Sequence, residues 1–449
     1  MLVGCWLFFP HSATGQTYPP DYASAYYGSA MPQHPTVIRK VDGSTALVSY
    51  YDNNLRRSVI SRINLTLSRE SVVLRENHTV YDMRKTGDNI YFCGTVNDGA
   101  KAFIGHVFYS SFFMFTRQVD YYYFKDYTSV LKRLVAYDIA GKQKVVAVGT
   151  HHFINNGIFP CPYDPEQHPY TCKCYFVVEG DFIDEQLIPP YFHYLATNNT
   201  SHDEDITDVI ETPNYVALVG HYYDVNSPVI HPCLKGNVIG SFPNNGHYYP
   251  SAPDEGLSDY HGCAMKGDTI AMASLSAYYV GGVQFFSTNV RIFDLATMNN
   301  TKAQLVPLDT KSEPYDLVYI PEKGRIVMLQ DICLPPHPCD QNMFMHLEPY
   351  TAAPYAAQCW YESHWSKPFF SLDRLSDGYY LAAGGEYWCM KELMNINSGG
   401  CYTPDNINVQ TLNTLPDTTF TYSYLTSIVT YSHEFDVTFD SGTISSGCL

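Results

Sequence analysis

Apolar and polar residues alternate along most of this chain with the period of two that is typical of β-strands. The clearest example is residues 79–98, where two alternating runs flank a polar, glycine-containing break at residues 86–89. A break of this kind closes a β-hairpin. A third alternating run follows at residues 102–108. The pattern therefore predicts three consecutive strands of an antiparallel meander.

The same hairpin recurs along the chain. Its copies begin at residues 36, 79, 130, 205, 261, 315 and 369. Their spacing is roughly 45 to 70 residues, against about 40 to 50 for well-known propeller repeats, and a repeat of several tens of residues indicates a solenoid or a propeller. In three copies the second strand is followed by a glycine, at Gly94, Gly149 and Gly220. A four-stranded sheet cannot bury both faces alone, whereas face-to-face packing in a ring buries them all. We predict an all-β fold, a seven-bladed β-propeller of four-stranded antiparallel blades.

The two ends of the chain lie outside this repeat. Residues 1–15 are an apolar run that ends in the small residues Ala13 and Gly15, which indicates a signal peptide truncated before its basic region. The alternatives are an ordered N-terminal strand or a lipid anchor at Cys5. Residues 16–34 form a lead-in segment, and residues 35–449 form the propeller. Residues 418–439 alternate as well and are predicted to complete the last blade, together with a strand from the N-terminus.

The amino-acid composition limits where the protein could be located and what it could bind. The net charge of -18 argues against nucleic acid, which needs a basic face. Beyond residue 16 no apolar run approaches the roughly 18 to 20 residues of a membrane span. We expect a secreted, periplasmic or cell-surface protein. Twelve of the 13 cysteines lie beyond the predicted signal peptide, an even number that suits disulfides. The predicted local pairs are Cys333 with Cys339, Cys389 with Cys401, and Cys161 with Cys172 or Cys174.

A resemblance supports this architecture. The hairpin that ends on Gly94 and is followed by a strand containing Phe103 resembles the repeats of uncharacterised secreted bacterial β-propeller proteins. The resemblance covers the repeats and implies a secreted propeller.

The loops that enter the innermost strands share a residue type. Five of the seven carry a histidine, and in a propeller these loops surround one mouth of the central channel. Imidazoles that converge from separate elements bind divalent metal ions or anionic ligands. The alternative is that they are unrelated polar loop residues; no other cofactor is required. The candidate metal ligands are His34, His78, His202, His261 and His364.

The loops that leave the second strand of each blade lie at the same mouth and are aromatic and acidic. Flat aromatic faces beside carboxylates suit carbohydrate or peptide recognition. The alternative is that these residues pack the loops against one another. The candidate ligand-binding residues are Tyr51, His152, His221, Tyr222, Tyr279, Glu386 and Trp388.

The sequence thus predicts a secreted propeller that binds a glycan or an extracellular protein at the channel mouth. The second hypothesis is an extracytoplasmic polysaccharide hydrolase or lyase that uses paired carboxylates such as Asp205 and Glu386. The third is a structural scaffold for protein interaction. The serine-hydrolase elbow, the zinc-protease helix motif and the phosphate-binding glycine-rich loop are all missing from the sequence, which favours a binding protein over an enzyme.

Overall fold

The structure is a computed structural model with side chains. It describes residues 22–26, 37–42, 45–53, 55–64, 69–97, 101–113, 116–124, 128–154, 171–183, 186–187, 191–197, 204–222, 227–241, 247–248, 260–280, 282–308, 313–332, 341–349, 352, 354–361, 369–374, 379–384, 387–392, 403–405, 423–424, 428–431 and 437–445. All structural statements below concern these residues.

Nearly all of the described secondary structure is β-strand, as predicted. The first strands in chain order are β1 Tyr22–Tyr26, β2 Val37–Lys40, β3 Thr45–Asp52, β4 Arg57–Asn64, β5 Arg69–Val73, β6 His78–Thr86, β7 Asn89–Val96, β8 Lys101–Phe108, β9 Thr116–Phe124, β10 Thr128–Ile139, β11 Lys142–Ile154, β12 Thr171–Ile183, β13 Gln186–Leu187, β14 Tyr191–Thr197, β15 Glu204–Glu211, β16 Tyr215–Tyr222 and β17 Ser227–Leu234. The remaining strands are β18 His247–Tyr248, β19 His261–Ala264, β20 Thr269–Val280, β21 Val283–Asp294, β22 Asn299–Leu308, β23 Pro314–Ile320, β24 Arg325–Ile332, β25 Gln341–Leu347, β26 Pro354–Tyr361, β27 Phe369–Arg374, β28 Tyr379–Gly384, β29 Tyr387–Glu392, β30 Thr403–Asp405, β31 Ser423–Tyr424, β32 Ile428–Tyr431 and β33 Val437–Ser445. The described helices are the short 3-10 helix Tyr109–Phe113 and α1 Val238–Ser241.

The strands pair into antiparallel sheets that follow one another along the chain. In the described part there are seven, numbered here by their first strand: sheet 1 is β2-β3-β4-β5, sheet 2 is β6-β7-β8-β9-β33, sheet 3 is β10-β11-β12-β14-β32 with β13 on β12, sheet 4 is β15-β16-β17-β18-β31, sheet 5 is β19-β20-β21-β22, sheet 6 is β23-β24-β25-β26-β30, and sheet 7 is β27-β28-β29-β1. The hairpin predicted at residues 79–98 is the pair β6 and β7, with Gly87 at φ 60° in the turn. The predicted third strand is β8.

The first strand of each sheet contacts the first strand of the next. β2 contacts β6, β6 contacts β10, and the series continues through β15, β19 and β23 to β27. β27 in turn contacts β2. These seven inner strands therefore form a closed circle of contacts, which is the arrangement that a propeller-type packing of sheets requires.

The apolar core lies between consecutive sheets. Tyr91 of β7 packs in one buried cluster with Leu134 and other residues of sheet 3, whereas its neighbour Phe92 packs in another with Leu47 of sheet 1. Similar clusters join sheets 3 and 4, sheets 4 and 5, and sheets 5 and 6. Successive residues of a strand point to opposite faces, so both faces of these strands are buried and both are apolar.

The recurrent glycines have a steric cause. The pairing of β6 with β7 is interrupted by a bulge between Val80 and Asp82, and bulges occupy corresponding places in sheets 3, 4, 6 and 7. At Gly94, opposite the bulge, a Cβ atom would lie 1.8 Å from the carbonyl oxygen of Thr79. At Gly149 it would lie 1.9 Å from that of Val130. Only glycine permits this close approach of two backbones.

The two ends of the chain add strands to the outer edges of sheets. The N-terminal strand β1 pairs with β29 and is the outermost strand of sheet 7. The C-terminal segment does not complete this last blade as predicted. Its strands β33, β32 and β31 instead pair with the outer strands of sheets 2, 3 and 4. A short segment can pair with any open strand edge, so its sequence pattern does not identify its partner.

Two further features bear on the predictions. Among the described residues, no helix has both the length and the apolar character needed to cross a membrane.

Cys93, Cys233 and Cys263 are buried free thiols, and burial raises the pKa of each of them above its ordinary value. The predicted local disulfides lie on residues whose side chains are outside the described part.

Candidate functional site

The two sets of loops singled out in the sequence meet at one end of the sheets. In sheet 4 the start of the inner strand pairs with the end of the second strand: Glu204 is opposite Tyr222, and Asp205 is opposite His221. In sheet 3, Thr128 is opposite His152. The strand ends that bound the entering and leaving loops of these sheets therefore lie side by side, and we use the term channel mouth for this end of the circle of inner strands.

The predicted ligand-binding residues lie at several places around this end. Tyr51 is half-buried near the end of β3 and pairs with Ser58. For five others the structure describes the backbone alone. His152 lies near the end of β11, His221 and Tyr222 are the last two residues of β16, and Tyr279 lies near the end of β20. Trp388 lies in β29 opposite Ala383. Glu386 is outside the described residues.

Two of the predicted metal ligands are described with their side chains, and they lie apart. His78, in sheet 2, is buried; its Nδ1 is 3.0 Å from the carbonyl oxygen of Glu76 and its Nε2 is 2.9 Å from the hydroxyl of Tyr123. Burial lowers the pKa of His78. His261 begins β19 in sheet 5 and its Nδ1 is 3.3 Å from Nη2 of Arg133. His34, His202 and His364 lie outside the described residues. Within the described residues, no three His, Cys, Asp or Glu side chains are grouped so that they could hold a metal ion.

The inner strands bring together a set of charged and polar residues of which the sequence analysis singled out only His261. Every one of the seven sheets contributes, and most of these side chains are buried. We call this set the axial cluster. Its members are Arg39, Asp82, Arg133, Asp208, His261, Asp316, Ser371 and Asp373.

The aspartates of the axial cluster connect consecutive sheets by one repeated arrangement. Asp82 Oδ1 accepts a hydrogen bond from the N–H of Met83 at 2.9 Å, and its Oδ2 accepts one from the N–H of Leu134 in sheet 3 at 3.0 Å. Asp208 in sheet 4 binds Gly262 of sheet 5 in the same way, at 2.9 Å. Each carboxylate thus fastens the inner strand of the following sheet.

The same arrangement recurs where the circle closes. Asp316 of sheet 6 accepts a hydrogen bond from the N–H of Leu372 in sheet 7 at 2.9 Å. Asp373 of sheet 7 accepts one from the N–H of Lys40 in sheet 1 at 2.6 Å. The last sheet is therefore also joined to the first by a carboxylate that accepts from a backbone N–H group, although Asp373 stands two residues after Ser371, the position that corresponds to Asp82.

Arg39 supplies the connection between sheets 1 and 2. Its Nε and Nη2 lie 3.1 and 2.6 Å from Oδ1 of Asp82, and its Nη1 donates to the Ser371 hydroxyl at 2.9 Å. Burial opposes the charge on Arg39, but the carboxylates of Asp82, Asp316 and Asp373 more than offset it, so its pKa is raised. Asp82 is itself fully buried, and a buried ion pair of this kind depends on both partners.

Carboxylates outnumber guanidinium groups in the axial cluster. Burial raises the pKa of Asp208 to about 7, although Arg133 and the N–H of Gly262 act in the opposite direction. Burial also raises the pKa of Asp373. Burial opposes the charge on Arg133, and the nearby carboxylates, Asp208 first among them, raise its pKa nonetheless. The cluster can therefore take up a proton near neutral pH at Asp208.

Comparison with known proteins adds little to this geometry. No protein-family profile matches the chain, and no curated protein matches it significantly. Among solved structures, the chain is similar to the WD40 domain of SCAP from fission yeast, with a TM-score of 0.35 and 8% identity over 84% of this chain and 100% of that one. It is also similar to a prolyl endopeptidase, with a TM-score of 0.43 and 8% identity over 81% of this chain and 51% of that one. Similarity at this level indicates nothing about activity or ligand.

Proposed function

We propose that the chain is a secreted seven-bladed β-propeller that binds a glycan or a protein ligand at the channel mouth. Seven sheets among the described residues, and inner strands that contact one another in a closed circle, support the blade number. The apolar segment at residues 1–15 motivates secretion. Propellers commonly present loops of all their blades at one end, which suits a binding protein.

One observation carries the proposal. Within sheet 4, the register of the hairpin sets Asp205 opposite His221, and the corresponding strand ends of the other sheets carry further aromatic residues such as Tyr51 and Tyr279. Tyr51 lies near the end of β3 in sheet 1 and is partly exposed. Aromatic faces and hydrogen-bonding carboxylates from several blades would line one recess around the mouth.

The experiment is a binding screen of the purified chain on two parallel arrays, one of glycans and one of extracellular proteins, with product analysis of every glycan that binds. We expect retention of at least one ligand without turnover. The double variant Tyr51→Ala/Trp388→Ala should weaken that binding by about 10-fold or more, since loss of two aromatic contacts removes at least 1.4 kcal/mol. The control is Tyr319→Ala in β23, near the opposite end of sheet 6. Equal binding by all three proteins would place the ligand elsewhere, and turnover of a bound glycan would replace the binding proposal by the hydrolase hypothesis.

A further inference from the structure

The hairpin of β20 and β21 extends beyond the inner strand of its sheet. β19 begins at His261, which lies opposite Ala273 of β20, and β20 continues to Val280. In sheets 2 and 4 the first residue of the inner strand instead lies opposite the last residue of the second strand. Among the described residues of the other sheets, the longest extension is that of β3, which continues from Ser49 to Asp52. Within the described part, the hairpin of sheet 5 therefore reaches furthest at the channel-mouth end.

The described side chains become more exposed toward the end of this hairpin. Leu275 and Thr288 are a cross-strand pair, and both are buried. Phe286 is half-buried, and Val283, which follows the turn, is 58% exposed. A Cβ atom added at Gly282 in the turn would meet nothing within 4 Å. The hairpin thus leaves the body of the protein near Phe286 and ends in open space.

The part of the hairpin beyond this point is apolar on both faces. We call residues 277–286 the hairpin tip. Its strands project by about 10 Å, because each step between pairs adds about 3.4 Å. Successive pairs fall on opposite faces of a hairpin, and apolar or aromatic residues stand on each face of the tip. The pairs are Ala277 with Phe286 and Tyr279 with Gln284 on one face, and Tyr278 with Phe285 and Val280 with Val283 on the other.

The hairpin carries no charge over its whole length. Residues 269–290 contain no Asp, Glu, Lys, Arg or His, although 16% of the residues of the chain are charged. For the buried part of β20 and β21, packing in the apolar core explains this composition. The hairpin tip lies outside the core, and strands that face water ordinarily carry charges that prevent association through their edges. The composition of the tip is therefore suited to an apolar environment.

The geometry points to a membrane-docking hairpin: we infer that the hairpin tip inserts into the interfacial layer of a lipid bilayer whose headgroups are electrically neutral. A groove on a partner protein would cover one face of the tip, whereas lipid surrounds both faces, and both are apolar. Interfacial segments enter the boundary between headgroups and acyl chains by about 5 to 10 Å, which matches the projection of the tip. The insertion is shallow because two strands leave unpaired backbone groups along their outer edges, and these groups cannot enter the hydrocarbon core.

The residue types of the hairpin tip follow the expected depth. Val280 and Val283 stand at the end of the tip and would lie deepest. Tyr278 and Tyr279 stand one and two pairs behind them and would lie at the level of the headgroups. Tyrosine is enriched at this level because its ring is apolar and its hydroxyl is polar.

The charge of the protein selects the type of bilayer. The net charge is -18, so a membrane rich in anionic lipid repels the body of the protein, and the hairpin tip has no positive charge that could offset this repulsion. The repulsion extends over about 30 Å at 0.01 M salt and about 10 Å at 0.1 M salt. We therefore expect zwitterionic bilayers to bind the protein best, and anionic lipid to weaken binding most at low salt.

This inference goes beyond the proposed function and does not depend on it. The hairpin tip lies at the same end of the circle as the channel mouth, so a docked protein turns its mouth toward the bilayer. Binding of a soluble ligand, measured without vesicles, tests the proposed function alone.

The test is flotation of the intact chain with vesicles of phosphatidylcholine, and with vesicles that also contain phosphatidylserine. Val283→Asp should weaken partition into the first vesicles by about 10-fold or more, because it puts a charge at the deepest point of the tip. Val283→Leu should bind at least as well as the wild type, since it keeps and enlarges the apolar side chain. The matched control is Leu234→Asp, which should behave as the wild type. Leu234 is 55% exposed and ends β17 at the opposite end of sheet 4 from the mouth.

The possible results are distinct. Failure of the wild type to float with either kind of vesicle would overturn the inference, and so would equal flotation of Val283→Asp and the wild type. Dimerisation of the wild type that Val283→Asp abolishes, without vesicle binding, would show that a second copy of this chain covers the tip. If Val283→Asp fails to fold, Val283→Trp decides the matter. Brominated lipid should quench the tryptophan emission of Val283→Trp more than that of the wild type, and equal quenching would contradict insertion of the tip.

Discussion

Replacing Asp82 by asparagine is the sharpest perturbation of the axial cluster. The change keeps the shape of the side chain but removes its charge, and it puts an NH₂ group where an oxygen now accepts hydrogen bonds. Asp82 receives donors from Arg39, from the N–H of Leu134 and from the N–H of Met83. Asparagine can satisfy only part of this set, because its amide nitrogen is a donor.

The expected loss of stability in Asp82→Asn follows from the burial of Asp82 and Arg39. The side chain of Asp82 is 0% exposed and that of Arg39 is 6% exposed, so the guanidinium would lose its main counterion inside the protein. Breaking a buried ion pair by removing one partner costs about 3 to 5 kcal/mol. For a chain of 449 residues that unfolds in one transition, the unfolding entropy near 60 °C is about 0.9 kcal/mol per kelvin, so the melting temperature should fall by about 3 to 5 °C.

The assay is thermal unfolding followed by far-ultraviolet circular dichroism, at pH 7.5 and one protein concentration. The control is Glu348→Gln, which removes a carboxylate from a pair with Arg325 whose side chains are 38% and 22% exposed. We expect that control to shift the melting temperature by less than about 1 °C, since surface pairs contribute under about 1 kcal/mol. A shift for Asp82→Asn no larger than the control's would mean that the carboxylate is hydrated and does not join sheets 2 and 3. If unfolding is irreversible, unfolding rates at one temperature replace melting temperatures in the same comparison.

Three further predictions concern other parts of the account. The pKa of Asp208 is raised to about 7 from 3.8, so between these pH values the folded state holds a proton that the unfolded state has lost. The stability of the wild type relative to Asp208→Asn should therefore fall by up to about 4 kcal/mol between pH 4 and pH 7 and stay level above pH 7. Urea titrations at six pH values measure this difference, and a difference that does not change with pH would refute the raised pKa. Gly94→Ala should destabilise the fold by about 3 kcal/mol or more, because the new Cβ atom would overlap the backbone of the neighbouring strand. The control Gly141→Ala, at φ 78° with open space around the new Cβ atom, should cost about 1 kcal/mol. Equal losses of stability in denaturant titrations would contradict the steric argument. Iodoacetamide should modify the buried thiols of Cys93, Cys233 and Cys263 only after denaturation, as detected by mass spectrometry. Rapid labelling of the native protein at these residues would show that they are not buried.

Much of the fold could be predicted because it depends on local pattern. The alternation around residues 86–89 correctly predicted the hairpin of β6 and β7. The recurrent glycines Gly94, Gly149 and Gly220 lie opposite the bulges of sheets 2, 3 and 4. The same register explains why the entering and leaving loops meet at one end of the sheets. Each of these features is set by residues that lie close together in the sequence.

The axial cluster was missed although a signal for it was present. Asp82, Asp208 and Asp316 each stand one residue before an apolar residue in an inner strand. Strict alternation assigns such residues to a strand face without showing the bulge that precedes them. The bulge turns the carboxylate toward the next sheet, where it meets a backbone N–H group that no side-chain pattern reveals. The repeated aspartate could have been found by aligning the copies on their glycines.

The outer strands could not have been predicted from pattern. The pairing of β33 with β9 brings Val437 opposite Phe124, two residues separated by most of the chain. Both strands alternate in the ordinary way, and neither carries a feature that identifies the other. The alternation at residues 418–439 therefore predicted β-strands correctly, but the sheet that we expected them to join was wrong.

The central claim is that the inner strands form a closed circle held by carboxylates, and native-state amide hydrogen exchange tests it most directly. The amide of Lys40 donates to Asp373 where the last sheet meets the first, and the amide of Leu134 donates to Asp82 between sheets 2 and 3. In a closed circle both amides should exchange only through the most stable openings of the protein, with similar protection. Fast exchange of Lys40 beside a protected Leu134 would contradict the account, since the circle would then be open between sheets 7 and 1.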